Sequence, residues 1–266
     1  MADWDPELYR RFAKYRAEPF EHILARLPLR PDDRIVDFGC GTGENTIALA
    51  RGVTAGKATG LDSSVAMIAK ARELHATLPS ELRARINFVE GNFETPVADR
   101  ACSVVFSNAA LQWARDHRSV LMRWFAALVP GGRMVVQMPS NHQETAQVTL
   151  GALAADPKWR DLVGALQTPS HVVATPEEYR AMLTAIGFTE VHCYYETFHH
   201  PMESPAAIVE FCRATAMRPF LDRIPVARHA EFITEFTRRL EQAYGTSRAL
   251  IFNFRRLFLW GRRPAA

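Results

Sequence analysis

Residues Arg34–Thr46 have the sequence RIVDFGCGTGENT, and the fold of the chain is inferred outward from them. The apolar pair Ile35-Val36 predicts a buried strand that ends at Asp37, and glycines follow at positions 39, 41 and 43. Glycine adopts backbone angles closed to other residues and lets a ligand approach the main chain. The helical pattern that follows offers unpaired N–H groups at its start. The stretch therefore predicts a strand, a ligand-binding turn and a helix.

The spacing of these glycines narrows the class of ligand. It differs from the Gly-x-Gly-x-x-Gly dinucleotide fingerprint and lacks the Gly-Lys-Ser/Thr ending of a P-loop. An acidic residue without a phosphate-binding lysine favours a ligand with a cationic amino-acid end, such as S-adenosylmethionine. A second acid, Asp62, follows about twenty residues later, where doubly wound folds bind ribose hydroxyls. The alternative is that the glycines and Asp62 have only structural roles in their turns.

The composition is that of an ordinary globular protein. The chain has 266 residues, 48% of them hydrophobic, and its formal net charge of +3 does not favour nucleic acid as a partner. No apolar run reaches the roughly 20 residues of a membrane span, and the acidic start Met1–Asp5 does not resemble a secretory signal. Cys40, Cys102, Cys193 and Cys212 show no metal-ligand spacing. We therefore expect a cytoplasmic protein without metal, nucleic-acid or membrane partners.

The first half of the chain alternates between strand and helix patterns. Strands are predicted at 34–38, 57–62, 86–89, 102–107 and 134–138, with helices at 44–51, 64–77 and 117–129. This alternation is typical of a parallel sheet with crossover helices, and hence of an α/β, Rossmann-like fold. Ligands bind such sheets at the carboxyl ends of the strands. Four polar residues fall there, namely Asp37, Asp62, Asn92 and Asn108.

The segments outside this alternation are mostly helical. We expect a leader at residues 1–30 with two short helices instead of one, because Pro6 and Pro19 lie within it and proline interrupts helices. Helical patterns at 140–170 and 204–244 predict inserts that form a lid. The whole chain, 1–266, is expected to be a single domain.

Two more strands are predicted near the end of the chain, at 191–198 and 251–260. A helix that has Pro176 at its first position precedes them. The basic pairs Arg255-Arg256 and Arg262-Arg263 are interpreted as the charged, solvated edge of the sheet, since charges discourage pairing between edges.

Two sets of segments carry a family resemblance. The first set is Asp3–Pro6, Asp37–Gly41, Gly60–Ser64 and Ala66–Ile68. The second set is Asn108–Trp113, Val136–Pro139, Ala214–Pro219 and Arg256–Phe258. The first resembles the class I S-adenosylmethionine-dependent methyltransferases, and the second resembles their subgroup that methylates trans-aconitate. The resemblance implies a seven-stranded sheet, mostly parallel with the last strand antiparallel, with helices on both faces.

The resemblance also implies S-adenosylmethionine as methyl donor and the residues that hold it. Asp37 would meet its methionine part, Asp62 its ribose and Asn92-Phe93 its adenine, with Asn108 near the sulfonium. The residues assigned to the donor site are Asp37, Gly39, Cys40, Gly41, Asp62, Ser63, Met67, Asn92, Phe93 and Asn108.

The implied product is the methyl ester of a small carboxylic acid such as trans-aconitate. A carboxylic acid with a pKa near ~4 is ionised at neutral pH, so neither a general base nor another catalytic side chain is expected. The acceptor anion still needs partners, and arginine grips two oxygens at once. The acceptor candidates are Arg218, Arg16, Gln112 and Trp113, with His200, Tyr9, Gln137 and Arg256 as weaker ones.

Each acceptor candidate also has a structural interpretation. Arg218 could cap a helix or pair with Asp222, Trp113 could pack in the core, and His200 could be a core or turn histidine. A monomer or a homodimer is expected.

Two departures from the family pattern keep other functions open. Asn92 stands where many members have Asp, and its carbonyl can still accept a hydrogen bond. Glu18 replaces the second arginine of an Arg-x-Arg-Pro-like run and would repel a tricarboxylate if it faced the site. The acceptor could instead be an aliphatic or terpenoid acid, or a phenol that uses His199 or His200 as base. A donor-binding protein without activity is a further alternative, whereas the glycine spacing disfavours an NAD-dependent oxidoreductase.

Overall fold

The computed structural model describes residues 12–93, 102–164, 173–213, 215–245 and 250–265, with all their side chains except those of Ala13 and Arg16. The strands in these ranges are β1 Arg34–Phe38, β2 Lys57–Asp62, β3 Ile86–Glu90, β4 Cys102–Asn108, β5 Leu128–Pro139, β6 Thr189–Met202 and β7 Leu250–Arg262.

Helices connect most of these strands. They are α1 Ala13–Leu24, α2 Glu44–Arg51, α3 Val65–Ala76, α4 Ser80–Arg83, α5 His117–Ala127, α6 Thr145–Ala154, α7 Arg160–Val163, α8 Pro176–Ile186, α9 Pro205–Arg213, α10 Arg218–Leu221 and α11 His229–Tyr244, with 3₁₀ turns at Leu111–Trp113 and Val226–Arg228. Within the described ranges, none of them combines the length and the apolar composition needed to cross a membrane.

The seven strands form one sheet in the order β3-β2-β1-β4-β5-β7-β6. Strands β1 to β5 pair in parallel, with Asp37 opposite Phe106 and Asn108 opposite Gln137. Arg263 N–H donates to Gly132 O at 2.8 Å, which joins the end of β7 to the beginning of β5 and makes β7 antiparallel. The predicted sheet is therefore confirmed, including its antiparallel last strand.

The sequence interpretation of β7 as a solvated edge is wrong. β7 lies between β5 and β6, so β3 and β6 are the edges, and Arg256 is buried against the ring of Phe254 at 4.1 Å. Arg263 donates to Leu128 O at 2.5 Å. These guanidinium groups belong to internal contacts because the last strand in the chain is not the last strand in the sheet.

The expectation that Pro19 interrupts a helix is also wrong, because Pro19 lies inside α1, whereas Pro6 lies outside the described residues. The two side chains that follow explain the continuation. Phe20 and Ile23 are buried, and the Phe20 ring packs edge-on against Phe106 with centroids 5.7 Å apart. Burial of these groups outweighs the hydrogen bond that proline cannot donate.

The described residues cluster into two compact units. One takes its residues from Met1–Pro19, Ser140–His171 and Thr197–Arg256, and the other from Phe20–Pro139, Val172–Glu196 and Leu257–Ala266. Each has its own buried core, around Trp159, Phe211 and Phe232 in the first unit and around Phe38 and Trp124 in the second. The assignments of one domain to 1–266, a leader to 1–30 and a lid to 140–170 and 204–244 stay predictions.

Asp33, directly before β1, joins the amino ends of three central strands. It is buried and accepts hydrogen bonds from Arg30 N–H at 2.6 Å and Ser103 Oγ at 2.7 Å, and it pairs with Arg133 at 2.5 Å. Burial alone would raise the pKa of this carboxyl, but the three donors hold it below its ordinary value. Asp33 therefore stabilises the fold when it is ionised.

We expect Asp33→Asn to lower the free energy of unfolding by about 3 kcal/mol at pH 7, because Arg133 is left without its buried partner. A depressed folded pKa contributes stability that is present above the unfolded pKa of about 4 and is lost as the pH falls through the folded value. The loss should therefore shrink at pH 3. Urea unfolding at both pH values checks this, with the exposed neighbour Asp32→Asn as control. Equal losses in the two variants would contradict it.

Candidate active site

The turn after β1 places three glycines in the left-handed region, with φ of +76° at Gly39, +56° at Gly41 and +88° at Gly43. A Cβ at Gly39 would lie 2.2 Å from Ala110 Cβ, and one at Gly43 would lie 2.6 Å from the Phe88 ring. A Cβ at Gly41 would meet no described atom within 4 Å. Gly39 and Gly43 are therefore required by packing, whereas the space beside Gly41 is open to a ligand.

Asp62, at the end of β2, joins this turn to the next helix. Its two carboxylate oxygens accept from Gly41 N–H and Ser64 N–H, both at 2.9 Å. Ser64 caps α3 and accepts from Met67 N–H at 3.4 Å. Each oxygen of Asp62 keeps a further lone pair, and the residue is partly exposed. Asp62 can thus accept hydrogen bonds from the hydroxyls of a bound sugar.

Asp37, at the end of β1, is a buried acid that accepts from Thr46 Oγ1 at 2.6 Å. Burial raises the pKa of its carboxyl to about 7, the Thr46 hydroxyl opposes this shift, and the charge of Asp62 adds to it. An acid of this kind is stabilised in its ionised form by a nearby cation. Asp37 therefore fits a ligand with a cationic group.

The turn after β4 is strained and carries an unsatisfied polar atom. Asn108 Oδ1 is buried and has no hydrogen-bond partner among the described residues. Ala109 has a φ of +54°, a conformation that costs about 1–2 kcal/mol for a residue with a Cβ. Ala109 N–H donates to Gln137 O at 2.9 Å, and Gln112 Nε2 donates to Ala109 O at 2.7 Å. Strain and an unpaired acceptor at one strand end are typical of a ligand site.

The remaining donor candidates lie around these residues. Cys40 is buried, which raises the pKa of its thiol, so it acts as a small packing group. Gly91 N–H donates to Asp62 O at 3.0 Å, which ties the segment containing Asn92 and Phe93 to the end of β2. The Phe93 ring packs edge-on against Trp124 at 6.0 Å. Ser63 is exposed and Met67 is partly buried at the start of α3.

Taken together, these groups fit S-adenosylmethionine. The acids Asp37 and Asp62 suit its ammonium and its ribose hydroxyls, the open side of Gly41 suits a close approach, and Asn108 Oδ1 can accept from a donor on the ligand. Which residue binds which group of the ligand stays a prediction.

Of the acceptor candidates in the second unit, Gln112 is buried and folded back onto the turn that follows β4. Trp113 is 63% exposed, so its alternative role in the core is wrong. In the first unit, Arg218 is exposed, and no described residue pairs with its guanidinium, Asp222 included. Tyr9 and the side chain of Arg16 lie outside the described residues.

His200 is a core histidine of the first unit. It is 1% exposed, and its ring stacks on Tyr15 with centroids 4.3 Å apart. Burial and the charge of Arg256 lower the pKa of His200 to about 4. Its Nδ1 lies 3.5 Å from the Glu18 carboxylate, and with this pKa the contact is one between a neutral ring and an anion. Glu18, the departure from the family pattern, thus lies beside His200.

Gln137, a weaker candidate from the sequence, and the strained Ala109 are the two features that the structure adds to this site. Gln137 is fully buried in β5, and neither atom of its amide has a partner within the described ranges. The available signal was a polar residue inside the apolar run Met134–Met138. A single sequence holds no signal for the left-handed backbone at an alanine.

Two surface clefts lie outside this set of residues. One is lined by Lys158, Glu231 and Glu235, which form ion pairs on the first unit. The other is lined by Arg115 and His117 at the start of α5. Neither cleft is lined by a residue of the candidate site, so the site is defined by the chemistry of the strand ends.

Comparison with known proteins agrees with this geometry. The sequence model of the family described as a methyltransferase domain matches residues 9–193. The trans-aconitate 2-methyltransferase of Variovorax paradoxus is 37% identical over 267 residues, with both chains fully covered, and that of Paracidovorax citrulli is 36% identical over 269 residues, again with full coverage.

Solved structures share the fold at lower identity. The YcgJ protein of Bacillus subtilis superposes with a TM-score of 0.62 at 16% identity, covering 94% of this chain and 99% of its own. The chain therefore belongs to the methyltransferase family and, within it, to the trans-aconitate 2-methyltransferases.

The two glycines Gly39 and Gly41 give a matched test of the site. We expect Gly39→Ala to lower the free energy of unfolding by about 3 kcal/mol through overlap with Ala110. Gly41→Ala should cost about 1 kcal/mol for its backbone angle, yet weaken binding of S-adenosylhomocysteine at least about tenfold because the added methyl fills the open side of the turn. Urea unfolding and titration calorimetry measure both quantities. Wild-type affinity in Gly41→Ala would contradict the assignment.

The pKa of Asp37 predicts a pH-dependent donor affinity. A carboxyl with a pKa of about 7 is mostly protonated at pH 6 and mostly ionised at pH 8. Because the ionised form attracts the ligand's ammonium, the Kd of S-adenosylhomocysteine should fall about tenfold between these pH values. The isosteric variant Asp37→Asn should bind more weakly at pH 8 and show no such dependence. An unchanged dependence in the variant would assign the titration to another group.

Proposed function

We propose that the chain transfers a methyl group from S-adenosylmethionine to a carboxylate of trans-aconitate or of a closely related polycarboxylate. The observation that carries the proposal is the buried, unpaired Asn108 Oδ1 at the end of β4, where the following turn packs through Ala110 against Gly39 of the glycine turn. Relatives over 30% identical along their full length bear the name of this activity, and they supply the identity of the acceptor.

The donor is held at the ends of the first four parallel strands. Asp62 accepts from the ribose hydroxyls, Asp37 faces the ammonium, and Asn108 accepts from the methionine part, while Asn92-Phe93 lie at the adenine. When bound, S-adenosylmethionine supplies an electron-poor methyl group on a sulfonium, which a carboxylate oxygen attacks as the sulfur keeps the bonding electrons.

The protein needs no general base for this reaction. A carboxylate is already ionised at neutral pH, so the task of the chain is to align it and to exclude water. A phenol would need a base, and His200 with a pKa of about 4 is too weak a base to deprotonate it. This observation argues against His200 as the base for a phenol and leaves His199, which is exposed and lies 2.8 Å from Asn253 Oδ1, as the other candidate base.

Arginine is the natural partner of the carboxylates that do not react. Arg218 is exposed and has no described partner to lose, so recruiting it breaks no existing contact. Arg16 stays a candidate for the same task, and Gln112, Trp113, His200 and Tyr9 stay candidates for the lining of the acceptor site. Closure of 140–170 and 204–244 as a lid, action in the cytoplasm and a monomeric or homodimeric state complete the proposal.

A methyl-transfer assay tests the proposal. Purified protein with methyl-labelled S-adenosylmethionine should label trans-aconitate as a methyl ester, ahead of citrate, a fatty acid and a phenol. With saturating donor, kcat should be flat above about pH 6, because the acceptor is fully ionised there. Binding of S-adenosylhomocysteine without transfer to any acid would instead indicate a non-catalytic protein.

Within this assay, Arg218→Ala should raise the KM for trans-aconitate at least about tenfold, the loss expected for one charge-assisted contact. The Kd of S-adenosylhomocysteine should not change. Arg213→Ala, an exposed arginine on α9, is the matched control. If Arg218→Ala weakened only the binding of S-adenosylhomocysteine, Arg218 would bind the donor and not the acceptor.

A further inference from the structure

Gln137 is the buried polar residue whose surroundings explain it least. Its side chain is fully buried at the carboxyl end of β5, and both its Oε1 and its Nε2 have no hydrogen-bond partner in the part of the chain that the structure describes. Because both ends of the amide are unpaired, exchanging O and N would not change this result. A buried amide without partners destabilises a fold, so a ligand that pairs with it explains why it is there.

Two other amides lie beside it. Asn108 is the cross-strand neighbour of Gln137. Gln112 Nε2 donates to Ala109 O, and Ala109 N–H donates to Gln137 O. The buried unpaired atoms of Asn108 and Gln112 are both carbonyl oxygens. Of these three amides, Gln137 is therefore the one with an unused buried N–H donor. A carboxylate, which can only accept, is complementary to that donor and not to the two oxygens.

The order of the strands indicates which ligand Gln137 meets. Asp62, Asp37 and Asn108 lie at the carboxyl ends of β2, β1 and β4, and Asn92 lies just beyond β3. These four strands are consecutive in the sheet. In the proposed function, the donor extends along this row from adenine to sulfonium. Strands are about 4.8 Å apart, and the next strand beyond the sulfonium is β5, which ends near Gln137. The acceptor, not the donor, is expected there.

Resting on that proposed function, we infer that Gln137 Nε2 donates a hydrogen bond to the reacting carboxylate of the acceptor. The bond goes to the oxygen that does not attack, which fixes the direction of the other oxygen. A neutral amide suits this position because an arginine would stabilise the anion and weaken it as a nucleophile. Gln137 is thus a positioning residue for the carboxyl group that is methylated.

The variant Gln137→Met tests this role, since methionine has nearly the same length and no polar group. Titration calorimetry of trans-aconitate into protein saturated with S-adenosylhomocysteine should show at least tenfold weaker binding than in wild type. The Kd of S-adenosylhomocysteine should stay within twofold. The Tm of the ligand-free variant should be unchanged or higher, because an unpaired buried amide has been removed.

A purely structural role gives the opposite pattern. Ser107→Ala is the matched control, since Ser107 is equally buried and donates to Phe38 O at 2.9 Å. It should lower the Tm and leave trans-aconitate binding unchanged. If Gln137→Met lowers the Tm and leaves trans-aconitate binding intact, or weakens S-adenosylhomocysteine instead, the inference is overturned. Absence of trans-aconitate binding in the wild type would refute the proposed function, and this inference with it.

A second variant adds a pH readout. In Gln137→Glu, burial raises the pKa of the new carboxyl, and its protonated form can donate a hydrogen bond whereas its ionised form repels the acceptor. Trans-aconitate binding should therefore strengthen as the pH falls from 8 to 6, relative to wild type. A parallel pH dependence in the two proteins would overturn the proposed contact.

Discussion

The missing side chain at Gly39 is the constraint on which the candidate site depends. A Cβ there would lie 2.2 Å from that of Ala110, so the turns after β1 and β4 touch only because residue 39 is glycine. Their contact keeps the main chain of the first turn within reach of Asp62 and sets the end of β4 beside the end of β1. The residues proposed to bind the donor thus converge through a packing requirement.

The buried polar groups named above are paired at the amino end of the parallel sheet, and several are unpaired at its carboxyl end. At the amino end, Asp33 has three donors within 2.7 Å and lowers the energy of the fold. At the carboxyl end, the amides of Asn108 and Gln137 are buried with unpaired atoms, and Ala109 is strained. The stabilising hydrogen bonds thus lie at the amino ends of the strands, and the unpaired hydrogen-bonding groups lie at the carboxyl ends, where ligands bind parallel sheets.

Local features were predictable from the sequence. The glycine turn, the alternation of strands and helices, and the cap of α8, where Thr175 and Glu178 form a capping box, depend on residues near one another in the chain. The insertion of β7 between β5 and β6 was not predictable in the same way, because pairing order depends on contacts far apart in sequence. The same holds for Pro19, where the burial of later side chains overrides a local signal.

The site itself was only half visible for a related reason. Acids at strand ends stand out in a sequence, so each of the two acids could be assigned to a group of the donor in advance, and this assignment stays a prediction. Gln112 and Gln137 were acceptor candidates from the sequence, but their residue types alone did not show that they have buried amide atoms without partners in the described part of the chain. This pattern also suits the proposed reaction: charge disappears as an anion attacks a sulfonium, so a neutral donor next to the reacting oxygen holds the anion without lowering its reactivity as much as a fixed cation would.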